Sequence, residues 1–591
     1  MRNIFKITLI FALIVGTLSS CEDELLDQVN PNAVTTDSFW QTKEDFNKAT
    51  NALYSSLQFS AVSGQGLVEN MVRSDLAGSE SWYTIVNFSN MIWNDATDNV
   101  VDRWSQLYIG IYRANQILYY IEDVTFLTDA EKESIIAQTR FLRGLNYFGL
   151  VQSYNQAIIQ DVLPIVDADM HKPLSPRAEV ISKMVIPDLT YAYEHLPKKW
   201  SDSGDTGRFT WGAAAAMLGK TYLYDKDWTN AAKYFKEVID AADNDGLYAL
   251  VPNFMDNFTI ENEFNSESIL EVAYSDNYKE GASGNRTDDI GTVPGSEASS
   301  IASSFASITG AGGYNTCLPT YWLQELFVAG DSIDISNPIN AGYHYSQRTY
   351  ATLAVEFGDG DYYQAPLVAT ETEKSKANFT FGQGSKVKKW TSWYYKENED
   401  MSTGARTGIN FRLIRLADVY LMYAETLLEG STADVAGAMK YIDKVRSRAG
   451  VITLESYRAD NGGMIPVLDK SRFPNGLAQF DMVALTKESL LHHLRMVERP
   501  LELAFEGHRW YDLVRWGLIK ETFTARKAEE DLIKGLLLDP VSNAITGPQI
   551  FPLYLNQRVR PDWAKAAANY NSASHDYFPI PSIEAQSNRE L

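Results

Sequence analysis

The sequence predicts a mainly α-helical protein built from helix pairs and interrupted by one long irregular stretch. Three observations carry that expectation. Residues 209–239 read as a tetratricopeptide-like unit, with Leu218, Gly219 and Tyr222 in one helix and Ala231 and Phe235 in the next, across the polar turn Asp225-Lys226-Asp227. A second, degenerate unit recurs within 410–448, where Ala424 stands in for Gly219 and Ala438 and Ile442 echo Ala231 and Phe235. Between them, at about 243–406, helical periodicity gives way to Gly, Ser, Thr and Asn. One helix pair cannot bury its own apolar faces, so each unit demands stacking partners elsewhere in the chain.

Taken in order, the chain begins with a segment that does not belong to the fold. Arg2 and Lys6 precede an apolar run at 7–18, which is too short to span a bilayer and suits a signal-peptide core. The run ends in Leu18-Ser19-Ser20-Cys21, which resembles the bacterial lipobox. On that reading residues 1–20 are removed and Cys21 becomes a lipidated N-terminus. Glu22-Asp23-Glu24 then resembles the export signal of lipoproteins that reach the cell surface. Residues 21–36, with Asn30-Pro31-Asn32, read as a tether, and 37–591 as a single domain.

A first helix is expected at 42–57, with Phe46, Ala49, Leu53 and Leu57 on one face. Residues 60–102 read as a long loop carrying Trp82, Tyr83, Phe88 and Trp93, and long ordered loops are often functional. Helices follow at 104–120 and 128–151, the latter opened by the capping box Thr128…Glu131, then at 179–196, so that helix pairs occupy about 104–240. The irregular insertion holds a candidate strand at 268–274 and a short helix at 321–327. It also crowds together Tyr343, Tyr345, Tyr350, Tyr362, Tyr363, Trp390, Trp393, Tyr394 and Tyr395. Helix pairs resume over about 410–517, with helices at 410–428 and 435–448 and one long helix at 486–516. The Pro-punctuated tail around Tyr577 is expected to pack back onto the body.

The formal charge of −24 excludes a nucleic-acid footprint, which needs clustered basic residues. Only Cys21 and Cys317 are present, so a lipidated Cys21 leaves no internal disulfide. The densest polar cluster runs from His492 to Arg509, with Glu498, Glu502 and Glu506 four residues apart. Its spacing matches neither His-Glu-x-x-His nor Glu-x-x-His, and its arginines point to carboxylate–guanidinium pairing. No cofactor or catalytic group is expected. Asp359 with Asp361 and Asp243 with Asp245 look calcium-like, but neither fits the twelve-residue loop, so calcium is admitted only as a structural ion. The aromatic content of 12 %, with 33 Tyr and 13 Trp, points instead to ring faces that stack on the C–H faces of sugars.

Together these features resemble the SusD/RagB family of outer-membrane nutrient-binding lipoproteins. The markers are Leu18-Ser-Ser-Cys21, Thr36-x-x-Phe-Trp40, Trp104-x-x-x-Tyr108, Arg113-Ala-Asn115 and Arg140-Phe-Leu-Arg143. Further along stand Leu416-Ala-Asp-Val-Tyr-Leu-Met-Tyr-Ala-Glu425, Val445-Arg-Ser-Arg-Ala-Gly450, Glu506-Gly-His-Arg509 and the closing Pro579-Ile-Pro581. The resemblance implies a SusD-like scaffold of tetratricopeptide-like units whose repeat face meets a SusC-like TonB-dependent transporter. It also implies an irregular half that holds an oligosaccharide or polysaccharide without turning it over. The expected ligand contacts are the rings of Trp82, Tyr83, Tyr314 and Trp393, with hydrogen bonds from Arg73 and Asp75. The expected location is the outer membrane, anchored through Cys21 and facing outward. Peptide is the alternative cargo, and a lipid-anchored glycoside hydrolase the alternative class.

Overall fold

A computed structural model describes residues 39–79, 84–276, 297–306, 312–355, 358–367, 385–397, 399, 405–469, 480–537 and 563–591. Residues 1–36, with Cys21, and the pair Trp82 and Tyr83 lie outside them. The chain folds into a mainly α architecture whose principal helices are α1 (Lys43–Ser55), α2 (Asp98–Tyr120), α3 (Asp129–Tyr154), α4 (Ile186–His195), α5 (Trp211–Tyr224) and α6 (Trp228–Asp243). Then come α7 (Leu416–Glu429), α8 (Val435–Arg448) and α9 (Arg509–Trp516).

The α5–α6 pair shows why these residues fold as they do. Thr210 caps α5 by accepting from the Ala213 N–H, and Asp227 caps α6 by accepting from Asn230. Ala213 to Ala216 are fully buried, which lets neighbouring backbones come close. A Cβ at Gly219 would fall 2.6 Å from the Phe235 ring, so the glycine makes the close approach of the two helices possible. α6 packs against α7, which in turn pairs with α8, so units far apart in sequence supply each other's missing surface. α2 pairs with α3, and α3 with α4.

Strands are few and short, and among the described residues each pairs antiparallel with a single neighbour. β1 (Ser268–Val272) falls on the expected strand and pairs with β2 (Phe411–Arg415). Here the sequence reading needs correction, because 411–415 is strand and the helix begins only at Leu416. Its side chains alternate between partners, Arg412 facing the 257–262 loop and Arg415 the carboxylates described below. The stretch 60–102 is also not one loop, since it contains short helices at Ser60–Ser63, Val68–Val72 and Val86–Ser89 and the start of α2.

The long helix expected over 486–516 is broken twice. After Lys487–His493 the chain makes one wide turn at Leu494–Glu498, because Pro500 has no N–H to return to the preceding turn. It then leaves the helix altogether, with Phe505 at φ +62° and Gly507 at φ +84°, before α9 begins. Trp390 of the insertion, itself at φ +62°, donates its indole N–H to the Phe505 carbonyl at 2.7 Å, and Lys389 donates to the carbonyls of Glu502 and Ala504. The insertion is thereby bound to the break in the helix.

Candidate functional site

The carboxylates that stood out in the sequence turn inward. Glu498 meets Arg348 at 2.5 Å and Arg446 at 2.8 Å; Glu502 meets Arg415 at 2.5 Å and Arg448; Glu506 meets Arg415 at 2.9 Å and Lys389 at 2.8 Å. Glu267 joins through Arg415 and Arg448. All four carboxylates are buried, and Glu506 sits in the turn rather than on the helix face of the other two. Burial pushes the Glu267 carboxyl up, but Arg448 and Arg415 outweigh it and hold it at about 2. Arg415 and Lys389 do the same for Glu506, also at about 2. Arg348 and Arg446 keep Glu498 well below the usual range against its own burial. With every oxygen set against a cation, this cluster is a structural junction.

Arg73 and Asp75 do not reach solvent, which corrects the expectation that they hydrogen-bond a ligand. Arg73 lies against the rings of Phe578 (4.1 Å), Trp510 (4.5 Å) and Trp93 (5.4 Å). Asp75 accepts both guanidinium donors of Arg509, at 2.7 and 2.8 Å. A charged pair in a Ser- and Gly-rich stretch reads as surface, and its partner 434 positions away carries no local signal.

Trp393 is also buried, at 3 % exposure, so it is not an open platform. It belongs to a run of rings, Tyr343–Tyr350–Trp393–Tyr394–Tyr395, with centroids 4.8 to 6.1 Å apart. The Lys388 ammonium sits 3.9 Å from the Trp393 centroid and donates to the Tyr350 carbonyl at 3.1 Å. Burial pulls Lys388 down to about 7, against the opposing pull of Asp359 and Asp361. Tyr394 accepts from the Ile260 N–H and donates to Glu261, while Tyr395 donates to Asp276.

Tyr314 stands apart from these inward-facing groups. It is 43 % exposed, on a segment whose backbone is held at every step. Its N–H donates to the Ser303 carbonyl at 2.6 Å, the Asn315 N–H to Ala306 at 3.0 Å and the Cys317 N–H to Ser304 at 3.0 Å. Gly312 is at φ +84° and Asn315 at φ +54°, and a Cβ on Gly313 would run into the Ala306 backbone. Lys386, fully buried, donates from Nζ to Asn315 Oδ1 at 3.0 Å. Leu318–Pro319 then pairs with Ala77–Gly78, the strand that leads on toward Trp82 and Tyr83. The sequence offered no pointer to Lys386 or Asn315, since Lys386-Val-Lys-Lys389 reads as a solvated charge run.

Three of the four aspartates in the calcium-like pairs meet protein groups. Asp359 accepts from His344 Nδ1 and from the His344 and Tyr345 N–H groups at 2.8 to 2.9 Å. Asp243 meets Lys444, and Asp245 meets Lys198. Among the described residues no group of three or more His, Cys, Asp or Glu side chains is arranged to hold a metal, and no helix is long and apolar enough to cross a membrane.

A helix-pair scaffold carrying an aromatic-rich insertion, with one ring held outward, defines the class of protein. Residues 266–591 match the family model described as the SusD family, and residues 24–223 match a model described as starch-binding associating with outer membrane. The chain belongs to the SusD family. It is similar to the SusD-like protein P25 of Formosa agariphila, 24 % identical over 534 residues that cover 86 % of this chain and 90 % of that one. Among solved structures it resembles a SusD-like protein from Bacteroides fragilis (22 % identity, TM-score 0.67, covering 94 % and 98 %). It also resembles a laminarin-binding SusD-like protein (24 % identity, TM-score 0.62, covering 93 % and 98 %).

Proposed function

We propose that this protein is a lipid-anchored lipoprotein of the outer membrane that captures oligosaccharides by aromatic stacking and passes them to a TonB-dependent transporter, without catalysis. The observation that carries the reading is the outward ring of Tyr314 on a backbone held by three hydrogen bonds and the Lys386–Asn315 contact. A backbone held in place before ligand arrives has little ordering entropy left to lose on binding. Trp82 and Tyr83, which lie outside the described residues, are kept as further candidate contacts on sequence grounds alone. Family membership and the laminarin binding of one structural neighbour support saccharide as the cargo.

For the transporter, the supporting observation is an apolar patch beside α2. Exposed Tyr112 and Met170 line a groove of about 340 Å³ between α2 and the C-terminal tail, and Val162, Ile165, Val166 and Ile583, also exposed, stand within two residues in sequence of groove-lining positions. An acidic surface that keeps such a patch open suits a partner protein. Cys21 supplies the membrane attachment.

The test is affinity electrophoresis of the soluble chain from Glu22 through gels containing starch, laminarin, xylan or mannan, with product analysis of the same mixtures. Retardation without released oligosaccharide, weakened by Tyr314→Ala and Trp82→Ala, is the expected result. Release of oligosaccharide would make the protein a hydrolase. Free migration in all four gels would put peptide forward as cargo.

A further inference from the structure

On the helix-pair side of the molecule, between the α4–α5 connection and β1, lies a cleft of about 670 Å³. Its walls are residues 198–210, 245–248 and 264–271, none of which belongs to the Tyr314 edge. Two half-buried rings line it, Trp200 and Phe264. The Trp200 indole N–H donates to the Phe209 carbonyl at 2.9 Å, which fixes the ring plane. Phe264 stands outside the hydrophobic core, with its backbone at φ +50° and its N–H donated to both Glu271 oxygens at 3.2 and 3.3 Å. Its ring lies over Gly207, at φ +92°, where a Cβ would come within 2.9 Å. A bulky residue in the left-handed region is strained, and such strain persists only where the surroundings hold the backbone in place.

The charges within the cleft are largely spoken for. Lys198 meets Asp245 at 3.0 Å, Arg208 meets Asp205 at 2.6 Å, and Asp202 accepts from the Gly204 N–H at 2.8 Å. Lys199 is exposed at the rim. The uncharged polar groups lining the cleft are Ser201, Ser203, Thr206, Asn265 and Ser266. The Asn265 amide is committed to Asp256, Asn257 and the Glu267 N–H, whereas the Thr206 and Ser266 hydroxyls each donate to one carbonyl and keep their lone pairs for an incoming hydroxyl. We propose that this cleft is a second saccharide site for a neutral oligosaccharide, separate from the Tyr314 edge. The Trp200 and Phe264 rings take the C–H faces of the sugar, and the serine and threonine hydroxyls take its hydroxyls. A charged ligand would have to break the existing ion pairs, whereas a neutral one leaves them intact.

The experiment is hydrogen exchange and calorimetry on the full soluble chain from Glu22, with maltoheptaose, laminarihexaose, xylohexaose and mannohexaose as probes. At least one is expected to slow exchange in both 198–210 and 262–271. Trp200→Ala and Phe264→Ala are expected to weaken that binding about tenfold each. Phe264→Gly, which also relieves the left-handed strain, is expected to lose binding while unfolding at no lower temperature, a split that a purely structural role would not give. Protection at 198–210 that persists in Tyr314→Ala supports a separate site, even if the Tyr314 edge proves idle. No protection there from any of the four sugars, or protection unchanged in Trp200→Ala and Phe264→Ala, would overturn it.

Discussion

The junction around Glu502 and the edge around Tyr314 both bring together conspicuous residues, and they spend them in opposite ways. At the junction Glu267, Glu498, Glu502 and Glu506 are sealed against Arg348, Arg415, Arg446, Arg448 and Lys389, far from water. At the edge the polar groups lie below, Lys386 on Asn315, and the ring above them is left facing solvent. A dense polar motif therefore marks the join between insertion and helices, whereas the edge proposed for recognition carries one exposed ring beside a left-handed turn. Residue type alone does not separate the two; direction does.

The comparison is sharpest where a junction cation is removed. Arg415→Met leaves Glu267, Glu502 and Glu506 short of a shared partner and is expected to cost ~3–5 kcal/mol, read as the shift in urea midpoint. Glycan retardation at low temperature is expected to be unchanged. A loss below about 1 kcal/mol would mean that the ion pairs do not hold the two parts together.

The buried carboxylates and the buried lysines respond to pH in different windows. Glu267 and Glu506 have folded values near 2, below the ordinary carboxylate value of about 4.3. The folded state binds fewer protons than the unfolded one between those limits. The stability they contribute is thus present above about 4.3 and lost as pH falls toward 2. Lys388 has the opposite consequence at the other end. Burial lowers it to about 7, so the unfolded state holds an extra proton between 7 and about 10.4, and stability rises with pH across that window. Urea midpoints measured from pH 3 to 10 are expected to fall on the acid side and to rise above 7. Lys388→Met is expected to reduce the slope of the upper limb only, the rest coming from Lys386 and Lys389, which burial lowers to about 7 and about 8.

How much of this was legible in the sequence follows from the reach of each interaction. The α5–α6 pair was readable because its determinants, Gly219 under Phe235 and the Asp227 cap, lie within one short segment. β1 was readable from its own apolar run, but β2 was not, because Phe411-Arg-Leu-Ile-Arg415 is helix-compatible until Ser268–Val272 pairs with it. The broken helix at 494–508 was missed although Pro500 and Gly507 signal it; the four-residue spacing of the glutamates suggested a continuity that the backbone does not have. Of the candidate contacts, Tyr314 is exposed, as a ring in a glycine-rich stretch suggests, while the burial of Arg73, Asp75 and Trp393 depends on residues remote in sequence or on neighbouring rings.

A smaller effect is expected at the edge itself. Asn315→Ala removes the Lys386 contact and places an alanine at φ +54°, which is expected to cost ~1–3 kcal/mol in stability and to weaken glycan retention. Asn315→Gly keeps the backbone conformation but not the contact. If the two variants bind equally poorly, the Lys386 hydrogen bond orients Tyr314; if only the alanine variant is impaired, the left-handed turn alone suffices.

The smallest stability change is expected at the apolar patch, and there the comparison can fail most cleanly. Ile165 is 62 % exposed and Val166 56 %, so Ile165→Ser with Val166→Ser removes little burial and is expected to shift the urea midpoint by less than ~0.5 kcal/mol. Neither residue belongs to the junction or to the Tyr314 edge, so glycan retention by the isolated protein is expected to be unchanged. If the patch is the docking face, the same double variant lowers co-purification of the outer-membrane transporter from cells expressing both. A variant that folds, binds glycan and still co-purifies at the wild-type level would leave the patch without a partner and move the docking face elsewhere on the helix pairs.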